Sequence, residues 1–380
     1  MKIAIIIDFI DDLSNGSVIT ARRFADGLRS RGHQVKVVAI GADGVGDCSL
    51  KARYVPILSE VASKNFMRFA KFDHDKIKGA LDGVDVAHFI FPFKFEKLCK
   101  RLADEMGIAT TCAFHCQPEN VSFNVGLGSF KPFNDFIYAF FRNGFYKNFS
   151  RIHCPSTFIA NRLKEHGYKG KLYVFSNGYD PNFKPLSIPK QTGEKFEIAM
   201  TGRLSPEKNQ RVILQAIARS KHRKKIRLSL FGKGACKPSL ERLAKSLGVD
   251  VEIAFLDKDA LIYRLQRSHL YVHSATVEIE AIATIEAIAC GLVPVIANSP
   301  LSATPQFALD DRSLFESGNP DDLAQKIDFW IEHENERIIA EKQYADHALN
   351  FCLDNSLAQA EKMFLDEICS QENKRLLTIK

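Results

Sequence analysis

A chain of 380 residues, 46% hydrophobic and 26% charged with a formal net charge of +7, is long enough for two buried cores and has the composition of a soluble globular protein. No apolar run approaches the roughly 18 residues of a membrane span, and the opening run meets Asp8 too early for a secretory signal, so the expected location is the cytoplasm. The positive charge suits an anionic donor or an anionic membrane surface; nucleic acid is not expected, because no module combining stacking aromatics with grouped basic residues is present.

Residues 3–7, 35–40, 86–90 and 109–114 read as buried strands, with helical patterns at 18–30 and 95–105 between them. The loop 11–17 precedes the first helix, which is expected to begin at about Val18. Either Ser17 is a plain cap there, or Gly16, Ser17 and the amides after them approach a phosphate. Phe66 and Phe69 are interleaved with Lys64, Arg68 and Lys71, and 130–149 is richer still in Phe. Two uses are open: a basic amphipathic surface on an anionic bilayer, or aromatics filling a core or an acceptor groove.

After the strand at 109–114 comes a loop dense in polar groups, including His115, Glu119 and Asn120, as a functional loop at a strand end should be. Cys112 and Cys116 flank His115, but no second cluster completes a zinc site, and the nine scattered cysteines read as reduced thiols. A Pro-rich, polar stretch at 181–193 reads as a linker. A second strand series follows at 196–200, 227–231, 251–255, 270–273 and 293–297, with the basic cluster 221–225 as a solvated loop. Asp257 is expected to cap a helix rather than to form a metal motif with Asp259, so the expected metal is none. From about Asp354 the pattern is helical. The alternation implies an α/β chain of parallel sheets covered by helices.

Two segments carry chemistry. Arg203 and Lys208 follow the strand at 196–200, where a guanidinium fork and an ammonium stabilise negative charge growing on a departing phosphate. Downstream, Glu278 and Glu286 are separated by seven residues, and a helical pattern begins at about Thr284 with Ile285, Ile288 and Ala289 on one face. If the residues between them are helical, Glu286 lies about two turns on. Amides at Ile282, Ala283 and Thr284 would add phosphate donors, Glu286 would accept ribose hydroxyls and Glu278 those of a sugar. Together with Gly202 this suggests a nucleotide-sugar site.

The segments Gly202-Arg203 to Lys208-Asn209 and Glu278 to Glu286, followed by Ala-Ile-Ala-Cys-Gly-Leu-Val-Pro-Val295, resemble the retaining glycosyltransferases of family 4. The resemblance spans nearly the whole chain and includes Leu28-Arg-Ser-Arg-Gly-His-Gln-Val35. It implies a GT-B fold, with two doubly wound Rossmann-like domains facing across a cleft. The domains would be 1–185 on the acceptor side and 186–355 on the donor side, with a helix at 356–380 returning to the first. It also implies His115 against the donor sugar, with Glu119 and Asn120 near donor or acceptor hydroxyls. His115, Arg203, Lys208 and Glu278 are thus the expected catalytic set, and Gly16, Ser17, Gly202, Ile282, Ala283, Thr284 and Glu286 the expected donor contacts.

Two departures stand out. Many relatives have Gly where this chain has Ile279 and Ala281, and two adjacent glycines where it has Asn15-Gly16. The implied activity is metal-independent hexosyl transfer, without a cofactor, from a nucleotide-diphosphate sugar, UDP-glucose by default. The acceptor would be a glycan or lipid-linked molecule of cell-surface polysaccharide or glycolipid synthesis, with peripheral attachment to the inner face of the plasma membrane left open. The alternatives are a non-transferring nucleotide-sugar binding or regulatory protein and, behind it, an epimerase.

Overall fold

The computed structural model describes residues 1–13, 15–54, 67–124, 126–128, 130–186 and 195–378. The chain divides into two compact units. One comprises Met1–Pro118, Ser129–Gly178 and Leu353–Lys380, and the other Glu119–Gly128 and Tyr179–Cys352.

The first unit is built on β1 (Lys2–Phe9), β2 (Gln34–Ile40), β3 (Cys48–Leu50), a separate antiparallel pair β4 (Ala52–Arg53) and β5 (Phe69–Ala70), then β6 (Val86–Phe89), β7 (Ala109–Ala113), β8 (Arg151–Cys154) and β9 (Lys171–Val174). The main sheet has the order β3-β2-β1-β6-β7-β8-β9 and is parallel throughout. Ile3, Ala4, Ile5, Ile6 and Ile7 are all buried, as a strand covered on both faces requires. The expected strands are present; β8 and β9 were not foreseen, because Arg151-Ile-His-Cys154 places polar residues inside the run. His153 is buried there, with Nε2 2.9 Å from the Phe175 carbonyl.

The first helix starts at Gly16, two residues earlier than expected, because Asn15 rather than Ser17 is the cap: its Oδ1 accepts the Ser17 amide at 2.9 Å. The helix Leu353–Thr378 packs on β6, β7 and the helix Gly16–Ser30. Leu357, Ala360, Met363 and Phe364 form its buried stripe at helical spacing. Arg31 forks onto Glu361 at 2.8 and 2.9 Å, and Phe364 lies 5.3 Å from the His88 ring.

The second unit has β10 (Phe196–Thr201), β11 (Ile226–Phe231), β12 (Val251–Ala254), β13 (Leu270–His273), β14 (Val293–Asn298) and β15 (Leu314–Glu316) in the parallel order β12-β11-β10-β13-β14-β15. The five expected strands are all present. Its core runs from Ile198 and Leu228 through Val272 and Val295 to Trp330. Asp257 caps the helix Lys258–Arg267, accepting the Ala260 amide at 2.9 Å. The linker at 181–193 is described only as far as residue 186, and Lys64 and Phe66 lie outside the described residues. Among the described residues, no helix is long and apolar enough to cross a membrane.

Candidate functional site

In the second unit β10 and β13 are parallel neighbours, so the loops that leave Thr201 and His273 emerge side by side at the carboxyl edge of the sheet. Open α/β sheets bind ligands at that edge. Gly202 leaves β10 with φ +149°, a conformation that favours glycine. A Cβ on Gly232 would collide with the Gly202 carbonyl, so the two loops approach as closely as their backbones allow.

Arg203 is positioned from below by a residue that stands between it and Lys208. Glu207 is fully buried, and its Oε1 accepts the Ser205 hydroxyl at 2.6 Å and lies 3.3 Å from Arg203 Nη2. Gln210 Nε2 adds a bond to the Arg203 carbonyl at 2.7 Å. The Lys208 carbonyl accepts the Ser274 hydroxyl at 2.9 Å, and the Thr276 amide donates to the Glu207 carbonyl at 2.8 Å. These bonds tie the first motif to the second. The Lys208 side chain itself is largely buried and extends from this held backbone.

The two motifs meet through their charges. Lys208 Nζ donates to Glu278 Oε1, which also lies 3.1 Å from His273 Nε2. Burial alone would raise the Glu278 carboxyl, but the Lys208 ammonium and the His273 hydrogen bond outweigh it and hold the group at about 2. The Glu278 carbonyl accepts the Ala303 amide at 2.9 Å, which pins this residue's backbone. His273, Glu207 and Ser205 were missed in the sequence. Glu207 adjoins Lys208 in the motif, but a carboxylate turned inward beneath a guanidinium has no periodic signature.

Glu278 and Glu286 are not joined by a continuous helix. The helix runs Ile282–Ala289, beginning at Ile282 rather than Thr284, and Ala281 precedes it with φ 68°, ψ 70°. This left-handed conformation is the one that glycine favours, so the chain keeps a glycine-type backbone at 281 despite its side chain. The Thr284 amide already donates to the Ala281 carbonyl at 2.9 Å. The amides of Ile282 and Ala283 begin the helix, where no carbonyl lies one turn back to receive them. Glu286 is buried on this helix.

The remaining expected residues are distributed as follows. Gly16 opens the first unit's helix with open space where a side chain would stand, while the Ser17 amide is taken by Asn15. His115 follows β7 and is buried; its ring meets His153 edge-on at 5.8 Å, and its Nε2 has no hydrogen-bond partner among the described residues. Burial, reinforced by His153 and His88, pushes the His115 imidazole well below its ordinary value, so it is neutral. Glu119, also buried, and Asn120 lie on the short helix Pro118–Asn124, in the segment grouped with the second unit. Cys112 is a buried thiol 3.8 Å from the Arg151 carbonyl, and among the described residues no three His, Cys, Asp or Glu are grouped to hold a metal ion.

The first unit holds a feature that was not foreseen. Asp8, at the carboxyl end of β1, is buried; its Oδ1 accepts the Ala70 amide at 2.7 Å, and its carboxyl faces that of the buried Glu96. Burial raises Asp8 to about 7, against the lowering effect of its hydrogen bonds. Burial and the neighbouring Asp8 raise Glu96 well above its ordinary value. Burial and mutual repulsion disfavour the ionisation of both carboxyls together.

The family description "Glycosyltransferase Family 4" matches residues 14–183, and "Glycosyl transferases group 1" matches residues 186–346. A protein of Methanocaldococcus jannaschii named as an uncharacterised glycosyltransferase is 24% identical over 334 residues, covering 79% of this chain and 80% of that protein. The catalytic domain of the cholesterol-α-glucosyltransferase from Helicobacter pylori is 53% identical over 41% of this chain and 98% of that chain, with a TM-score of 0.41. Anabaena HepE, crystallised with UDP and glucose, is 16% identical with a TM-score of 0.73, covering 96% of this chain and 100% of that chain; the likeness is one of fold.

Proposed function

Because the chain belongs to glycosyltransferase family 4, the glycosyl transferases group 1, and has its GT-B fold, we propose that it is a retaining, metal-independent hexosyltransferase using a nucleotide-diphosphate sugar. The observation that carries this reading is the meeting of Lys208 with Glu278, seventy residues apart in sequence, from the loops that leave the neighbouring strands β10 and β13. That meeting supports a site with cations for the departing diphosphate and a carboxylate for the sugar at this sheet edge.

In this reading Lys208 leaves Glu278 for the diphosphate, Arg203 adds its fork while Glu207 steadies it, and the Ile282 and Ala283 amides complete the cradle. Glu278 then accepts sugar hydroxyls and Glu286 those of the ribose. The free Nε2 of the neutral His115 is suited to a sugar hydroxyl. With no carboxylate assigned as nucleophile, attack is on the face the phosphate leaves, and that phosphate helps accept the acceptor's proton. Catalysis then rests on positioning and charge stabilisation. UDP-glucose is the default donor, since HepE, of the same fold, was crystallised with UDP and glucose.

The acceptor is a lipid or lipid-linked glycan. Phe130, Phe136 and Phe140 are exposed, Phe136 stacks on Phe140 at 6.4 Å, and Lys97 lies 5.0 Å over the Phe140 ring. That cluster of apolar rings and cations suits an anionic membrane surface on the cytoplasmic side.

The test is turnover of UDP-, GDP- and ADP-hexoses with EDTA present, followed by nuclear magnetic resonance of the product anomer. Arg203→Ala and Lys208→Ala should each lower kcat by roughly 10²- to 10³-fold. Unchanged turnover in both variants rejects the phosphate placement, and an inverted anomer rejects retention.

A further inference from the structure

We propose that His273 is a positioning residue for Glu278, which takes up a proton when the donor diphosphate draws Lys208 away and so keeps the carboxylate compensated. The inference rests on the donor-site reading above.

In the structure one oxygen, Glu278 Oε1, meets both Lys208 Nζ and His273 Nε2. The two partners differ in freedom. Lys208 has a four-carbon stem on a backbone held by Ser274, whereas His273 ends β13 with 1% exposure, in register with Ile296 of β14. An ammonium that turns toward a diphosphate divides its charge and its three donors between that anion and Glu278. A carboxylate this deep, stripped of its cation, is strongly disfavoured unless another positive group replaces the first. His273 is already hydrogen-bonded to the same oxygen.

The surroundings of the ring fit such an exchange. The titratable and charged groups facing it are Lys208 from the loop after β10, Glu278, and Tyr271 of its own strand; Glu286 on the helix Ile282–Ala289 acts on Tyr271. Tyr271 Oη lies 3.4 Å from His273 Nδ1 and 3.4 Å from the Thr201 carbonyl. With the imidazole neutral, Nε2–H donates to Glu278 and Nδ1 accepts from Tyr271. Once Nδ1 is protonated, it donates to the tyrosine oxygen and the tyrosine hydroxyl donates to Thr201. Both states are therefore fully hydrogen-bonded with no backbone movement. Burial first, and the Lys208 charge as a contributor, lower the His273 pKa in the resting state. Moving Lys208 onto the diphosphate removes the second of these. The proton comes from solvent, and Lys208 remains an ammonium throughout.

The experiment is calorimetry of UDP binding to the full chain near pH 6.5 in buffers of different ionisation enthalpy, which counts protons exchanged. UDP's terminal phosphate titrates in the same range, so the quantity read is wild type minus His273→Gln, a variant that keeps an N–H for Glu278 but binds no proton. Wild type should take up more, by a difference that peaks, approaching about one proton per UDP, at pH values between the free and UDP-bound pKa of His273, and shrinks on either side. A carbon-13 spectrum of wild type labelled at histidine should show one imidazole become imidazolium on adding UDP, which needs no variant to fold. Equal proton uptake in the two proteins, or no new imidazolium, overturns the inference while UDP binding itself leaves the donor site standing. If UDP, GDP and ADP all fail to bind, the donor-site reading falls and this inference falls with it.

Discussion

At Ala281 a side chain occupies a backbone conformation that costs a non-glycine residue roughly 1–2 kcal/mol. Ala281→Gly should therefore raise stability by about 0.5–1 kcal/mol, part of the strain relief being offset by the entropy glycine adds to the unfolded chain. Urea unfolding measures it; a loss of stability would show that the Ala281 methyl packs better than its dihedrals suggest. Asp8 and Glu278 respond to pH in opposite directions. Asp8 is raised from 3.8 to about 7, so its contribution is fully present below the lower value and is lost as pH rises through 7. Asp8→Asn, which cannot ionise, should stabilise the protein at pH 8 and do so much less at pH 4, read by thermal unfolding at both. Glu278 is lowered from 4.5 to about 2, so its contribution is present above the first value and is lost as pH falls through the second.

Among the elements, the helix Lys131–Gly144 shows how one segment serves two surroundings. Ile137, Tyr138 and Phe141 are buried, while Phe136 and Phe140 are exposed one turn apart on the other side. The Phe-rich pattern left core and membrane surface as open uses, and the helix serves the core with one face and leaves aromatics exposed on the other. Replacing Phe136 and Phe140 together by Ser should weaken co-flotation with anionic vesicles and leave the melting temperature within a degree or so, because neither ring is in the core. Equal flotation of both proteins would remove this helix from the proposed membrane contact. The strand at 151–154 had the reverse problem, since its polar letters concealed a buried element whose His153 Nε2 donates to the Phe175 carbonyl.

On the scale of the whole molecule, the helix Leu353–Thr378 packs in the first unit. Phe364 is fully buried there against the His88 ring, although about 276 residues separate the two. Phe364→Ala should cost about 3–5 kcal/mol. Hydrogen exchange should report that loss in β6 and β7 first, with the second unit's strands less affected; uniform loss in both would mean that the helix Leu353–Thr378 supports the two units equally.

The amino-acid sequence alone determined the two strand series, the parallel class and the pair of motifs, because buried parallel strands write continuous apolar runs and because Arg203, Lys208, Glu278 and Glu286 stand at fixed spacing beside them. Their partners were decided only by the tertiary structure. Burial turned Glu207 beneath Arg203, set His273 against Glu278 and raised the Asp8 and Glu96 carboxyls together. Asp8 and Glu96 are brought together from distant segments, while Glu207 and His273 meet near neighbours in sequence only because their loops turn those side chains inward, and no local period in the sequence encodes such meetings.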